Sequence, residues 1–182
     1  MKHYAIVAIA CLTACAAALA QPQSRPTSRD DPTRSCFSQA ENNSPTLDVL
    51  KPKLGNLFGR AVPTIEMRAN RDKPTDEEKQ ALSTWAQIRQ QCLEMGRAFR
   101  AQYSPPGWAV AFDESQSQFL AAIANLYVGD ISYGQFVAER ERLAIAGSAK
   151  LEQADRSNMA AMAQQQAQQR AMEQQQNQAR TN

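Results

Sequence analysis

Apolar residues recur along this chain at spacings of three and four, and no stretch carries the alternation of a half-buried strand. Leu47, Leu50, Leu54 and Leu57 form the first stripe, opening at Ser44-Pro45-Thr46, where Pro suits the first helical position. Pro52 lies inside it and predicts a kink or two short pieces. Arg60 to Lys73 reads as an irregular connection from which Val62, Ile65 and Met67 pack down. Thr75-Asp76-Glu77-Glu78 is a capping box, with three acids at the positive end of a helix dipole. Leu82, Trp85, Ile88, Cys92, Met95 and Phe99 follow as its face, and the helix ends near Tyr103, before Ser104-Pro105-Pro106-Gly107.

A third helix falls within Trp108 to Val128. Either Asp113 caps it or Trp108 to Phe112 is already helical. Its face is Phe112, Phe119, Leu120, Ile123, Leu126 and Tyr127, and Gly129-Asp130 stops it. Ser132-Tyr133-Gly134-Gln135 is a second capping box. It starts a fourth helix with Phe136, Val137, Leu143 and Ala144 inward and Leu151 last. The short turn between these two helices predicts an antiparallel hairpin.

Beyond Leu151 the stripe fades. Residues 152–182 hold 10 Gln and 7 Ala, with Met159, Met162 and Met172 their only large apolar side chains. Ala and Gln favour helix, so this segment reads as a helical or disordered arm without the apolar surface to dock firmly. At the other end, residues 21–35 are rich in Pro, Ser, Thr and Arg and read as a flexible linker. The expected architecture is all-α. A small antiparallel bundle over residues 36–151 carries one disulfide, a flexible N-terminal tether precedes it, and an extended C-terminal arm follows.

Residues 1–20 read as an export signal, with Lys2 and His3 before the apolar run Tyr4 to Leu12. That run is far shorter than the ~20 residues a spanning helix needs. Ala18-Leu19-Ala20 fits ordinary cleavage before Gln21. Leu12-Thr13-Ala14-Cys15 is similar to the lipobox of bacterial lipoproteins, which implies cleavage before Cys15 and lipidation of that Cys. Ala16 after it implies the outer membrane. The linker then becomes a tether, and membrane contact runs through the N-terminal lipid. The alternative is a soluble periplasmic or secreted protein.

Of four Cys, Cys11 is lost on export, and Cys15 is lost or lipidated. Cys36 and Cys92 remain as one pair in a compartment that permits disulfides. Closing so long a loop stabilises by about 4 kcal/mol in the chain-entropy picture. The wide spacing lacks a Cys-x-x-Cys, which favours a structural bridge over a redox pair.

The net charge of +2 lacks the basic stripe that nucleic acid requires, and the 43% apolar content suffices for a core. The single His, His3, lies in the export segment. The exported chain therefore lacks imidazole for nucleophilic catalysis and for the usual zinc, copper or iron sites. No metal, cofactor or catalytic residue is expected. Glu139, Arg140, Glu141 and Arg142 read as a solvated helix face, and Gly55 to Gly59 as a loop or helix end. Trp85 reads as core. Trp108, after Pro-Pro-Gly, is the candidate contact for a partner.

Phe112-Asp113-Glu114-Ser115-Gln116 contains a Glu-Ser pair that resembles the one in lytic transglycosylases, which would make Glu114 an acid and base for cell-wall cleavage. Leu126-Tyr127-x-Gly129-x-Ile131-Ser132-Tyr133-Gly134-x-Phe136 resembles small exported proteobacterial helical proteins of unknown role, a likeness that implies no activity. The leading expectation is a non-enzymatic envelope protein that binds or scaffolds an envelope protein or cell-wall partner. The alternatives are a carboxylate-based peptidoglycan hydrolase and a periplasmic holdase-like chaperone.

Overall fold

The computed structural model describes residues 30–59 and 62–181. The export segment, with His3 and Cys15, and most of the expected linker lie outside the described residues. Within them the chain is all-α. It comprises α1 (Pro32–Asn43), a 3₁₀ helix (Pro45–Leu50), α2 (Lys51–Leu54), α3 (Ile65–Ala69), α4 (Asp76–Tyr103), α5 (Trp108–Val128) and α6 (Tyr133–Thr181). No helix among the described residues is long and apolar enough to cross a membrane.

The core lies between α4, α5, the first part of α6 and the 45–57 segment. Trp85 of α4 is fully buried and meets Phe119 and Phe136 edge to face, at 5.7 and 6.0 Å between ring centroids. Leu47, Leu50, Leu54 and Leu57 are each at most 1% exposed and cover one side of this aromatic centre. The chain breaks around Pro52 into a 3₁₀ piece and one α-helical turn. Short, poorly regular helices persist there because the leucine stripe is pinned by tertiary burial. The α5–α6 hairpin forms the most extensive helix pair.

Both expected capping boxes are present. Thr75 Oγ1 accepts from Glu78 N, and Thr75 N donates to Glu78 Oε2 at 2.9 Å. Ser132 and Gln135 make the same reciprocal pair. Glu78 also takes Lys53 at 2.7 Å, tying α2 to the start of α4. At α6 the next orphan donors find carbonyls in the 70–72 loop, Tyr133 N to Asp72 O and Gly134 N to Asn70 O. A Cβ at Gly134 would collide with the Arg68 and Asn70 carbonyls, so glycine is what lets that backbone seat on the helix.

The N-terminal boundary differs from the expectation. Asp31 caps α1 by accepting from Thr33 N, and Pro32 occupies the first helical turn, so ordered structure begins inside the span read as linker. Asp31 and Thr33 are buried against α4, where Arg100 Nη1 donates to Thr33 Oγ1 at 2.6 Å and pairs with Asp31 at 3.4 Å. Gly96 makes room for them, since any Cβ there would strike Thr33, Asp31 and Arg100. The Cys36–Cys92 disulfide, with Cα atoms 5.4 Å apart, fixes the same pair of helices one turn away.

Other expectations change as well. The 60–73 connection contains α3, capped by Thr64, and of Val62, Ile65 and Met67 it is Met67 that packs on the core. Val62 and Ile65 are 84% and 80% exposed. Met95 is exposed on α4, Ala144 on α6 and Tyr127 partly so on α5. Helix α5 begins at Trp108, and Asp113 lies inside it rather than capping it, 3.6 Å from Arg100. The Glu139 to Arg142 run is not simply a solvated face. Arg140 reaches across to the Leu54, Asn56 and Gly59 carbonyls, and Glu141 pairs with Arg68 of α3. The arm is helical throughout its described length.

Candidate functional site

The described residues offer two features that fold stability does not account for, a trough across the bundle and the arm. Helix α1 makes its main contact with α4, and two clefts open beside α5 and α6, the smaller against the 57–59 loop and the larger against α1. One, of about 250 Å³, lies beside the 57–59 loop; the other, of about 610 Å³, runs toward the α4–α5 turn. Phe58, Arg89, Phe112 and Gln116 line both, so the clefts meet at Arg89.

Arg89 is 9% exposed. Its guanidinium lies over the rings of Phe119 and Phe37, at 4.3 and 5.0 Å, and donates from Nη2 to Gln116 Oε1 at 2.6 Å. Its Nε is buried without a partner. Among the described residues no carboxylate pairs with it. Burial, and then the charge of Arg140, push its pKa down from the ordinary value. Arg140 is compensated differently. Burial lowers its pKa while the Glu41 charge opposes that shift, and its N–H groups are taken by three backbone carbonyls. The site therefore holds one desolvated cation that no carboxylate pairs with among the described residues, on an aromatic floor, with Arg140 held close by.

Sequence reasoning missed both arginines, although each stands on an apolar stripe. Arg89 follows Trp85 by four and precedes Cys92 by three; Arg140 lies between Phe136 and Leu143 with the same spacings. A charged residue in register with a core face is the signal that would have found them.

Trp108, the expected partner contact, is half-buried at the outer end of the larger cleft and stacks on Phe112 at 5.3 Å. Glu114 is not in the trough's lining. It is half-exposed on α5 and pairs with Lys150 of α6 at 2.6 Å. Met159, Met162 and Met172 are all more than half exposed along the arm. The described residues contain no histidine. No group of three or more His, Cys, Asp or Glu among them is placed to hold a metal ion.

The arm continues α6, whose 49 residues make a rod about 70 Å long at 1.5 Å per residue. At its base Asn158 Nδ2 donates to Pro106 O at 2.9 Å, tying α6 to the α4–α5 turn. From Met159 to Arg180 every residue is exposed.

The fold and site thus define a disulfide-stapled all-α bundle with an arginine-lined trough and an exposed helical arm. Comparison of the chain with protein-family models, with curated proteins and with solved structures finds no match.

Proposed function

We propose that this chain is a non-enzymatic binding or scaffolding protein of the bacterial cell envelope, and that its arm is the element that meets the partner. The observation that carries the reading is the exposed helix beyond Asn158. It extends well past the bundle, adds nothing to the core, and exceeds the length at which an isolated helix is marginal in water. The Cys36–Cys92 bridge supports the placement, because such bonds persist in oxidising compartments. The lipobox-like Leu12-Thr13-Ala14-Cys15 would attach the tether to the outer membrane and hold the arm away from it. Trp108, near the point where Asn158 ties the arm to the α4–α5 turn, extends the contact surface.

Photocrosslinking in intact source cells tests the reading. A crosslinker at Met162 or Met172 should give a discrete adduct that one at Val110, exposed on the bundle, does not. Removing residues 160–182 should leave the melting temperature within about 2 °C, because those residues bury little apolar surface. Equal labelling from both regions, or none from the arm, would overturn the assignment. Retention of Cys15 as a lipidated N-terminus is read from intact mass. Peptidoglycan turnover that is lost in Glu114→Gln would replace this reading with the hydrolase.

A further inference from the structure

We propose that the Arg89 trough binds a small amphipathic monoanion, a carboxylate joined to an apolar chain or ring. This site reaches the base of the arm at Asp155, and it stands whether or not the exposed part beyond Asn158 binds a partner. The argument begins with charge. Removing a guanidinium from water is costly unless a counter-charge meets it, and Met or Leu would fill the same space without that cost. Arg89 has ring faces and one amide oxygen, which compensate only part of its charge. Its planar fork matches a carboxylate edge to edge.

The neighbours select for a single negative charge. In the smaller cleft the one lining cation besides Arg89 among the described residues is Arg140, whose donors are engaged by carbonyls and which feels Glu41, so a dianion there would bring in a second charge without a free donor to answer it. The wall of the larger cleft carries Arg34 together with Asp31 and Asp155, so that end holds no net positive charge to receive a second anionic group. The walls select for an apolar remainder. Phe112, Leu143 and Leu151 line the smaller cleft, and Phe99 and Trp108 the larger. Together the clefts fall in the ~300–1,000 Å³ range of small-molecule sites, which are mostly apolar with a few placed polar groups.

Decanoate, with decanol as its neutral counterpart, probes the full exported chain by titration calorimetry below the micellar range. Wild type should bind decanoate at least about tenfold more tightly than decanol. Arg89→Met should abolish that preference while leaving decanol binding within about twofold. Ala144→Trp, at an exposed position on the lip of the smaller cleft, leaves Arg89 in place and should weaken decanoate at least about tenfold. It keeps the test decisive if Arg89→Met does not fold. Equal affinities for decanoate and decanol, decanoate binding that survives either substitution, or no saturable binding by folded wild type would each overturn the proposal.

Discussion

Helix α6 is one continuous helix made by two different causes. From Tyr133 to Leu151 it is held by tertiary contacts. Tyr133, Phe136, Val137 and Leu143 are buried, Arg140 grips the 54–59 loop, and Lys150 meets Glu114. From Met159 to Arg180 every residue is exposed, and the helix there rests on the propensity of Ala and Gln. The first part carries glycines at 134 and 147 and buries one face, so packing sets its stability. The second is rich in Ala and Gln, good helix formers, and buries no face among the described residues. Backbone form is therefore no guide to stability along α6, whereas burial is.

Amide hydrogen exchange reads that contrast directly. The largest effect should come from Trp85→Ala, which removes the ring that Phe119 and Phe136 surround and should cost about 3–5 kcal/mol. Amides of 133–151 should then exchange orders of magnitude faster. Amides of 160–180, already exchanging by local fraying, should hardly change. Equal acceleration in both would mean that the arm shares the bundle's cooperative unit.

A smaller effect belongs to Glu78. Burial opposes its ionisation, but the Lys53 hydrogen bond, the Thr75 N–H and the Lys53 charge outweigh it and hold the carboxyl below 4.5. A carboxylate held low in the folded state contributes stability that is fully present above its unfolded pKa and is lost as pH falls through the folded value. Glu78→Gln should cost about 1–2 kcal/mol at pH 7. It should also flatten the fall in melting temperature below about pH 4.5. An unaltered acid limb would show that the Lys53 pair contributes nothing.

The smallest effect on the bundle, and the sharpest on the arm, should come from Ala167→Gly. It should lower helix content around residues 163–171 by about 1 kcal/mol of local stability, with no measurable change in the bundle's melting temperature. A clear drop in melting temperature would mean that the arm folds back on its own body.

Much of this arrangement was legible from local pattern. The two capping boxes, the interruption at Pro52, the Cys36–Cys92 pair and the α5–α6 hairpin all rest on residues within a few positions of one another or on elimination among few cysteines. The face of α4 shows where such reading fails. The expected series from Leu82 to Phe99 advances about 3.4 residues per turn, whereas an α-helix turns every 3.6. Over five turns the series drifts off the core, so Met95 emerges into solvent. The buried line instead runs through Arg89, Cys92, Gly96 and Arg100. Polar and glycine positions were passed over because an apolar neighbour stood one residue away.

The sequence by itself determined the helical stripes of the 45–57 segment, α4, α5 and the first part of α6, where α4 and α6 begin, which cysteines pair and that the described residues contain no imidazole. Those properties depend on side chains acting on their own backbone, or on the inventory of groups present. Only the tertiary structure decided that Asp31 and Thr33 belong to the domain, that Gly96 and Gly134 are points of backbone approach, and that Arg89 lies in an aromatic trough where no carboxylate pairs with it among the described residues. Each of these depends on what a distant segment brings within a few ångströms, and a charge in a helix stripe acquires its meaning from the groups packed around it.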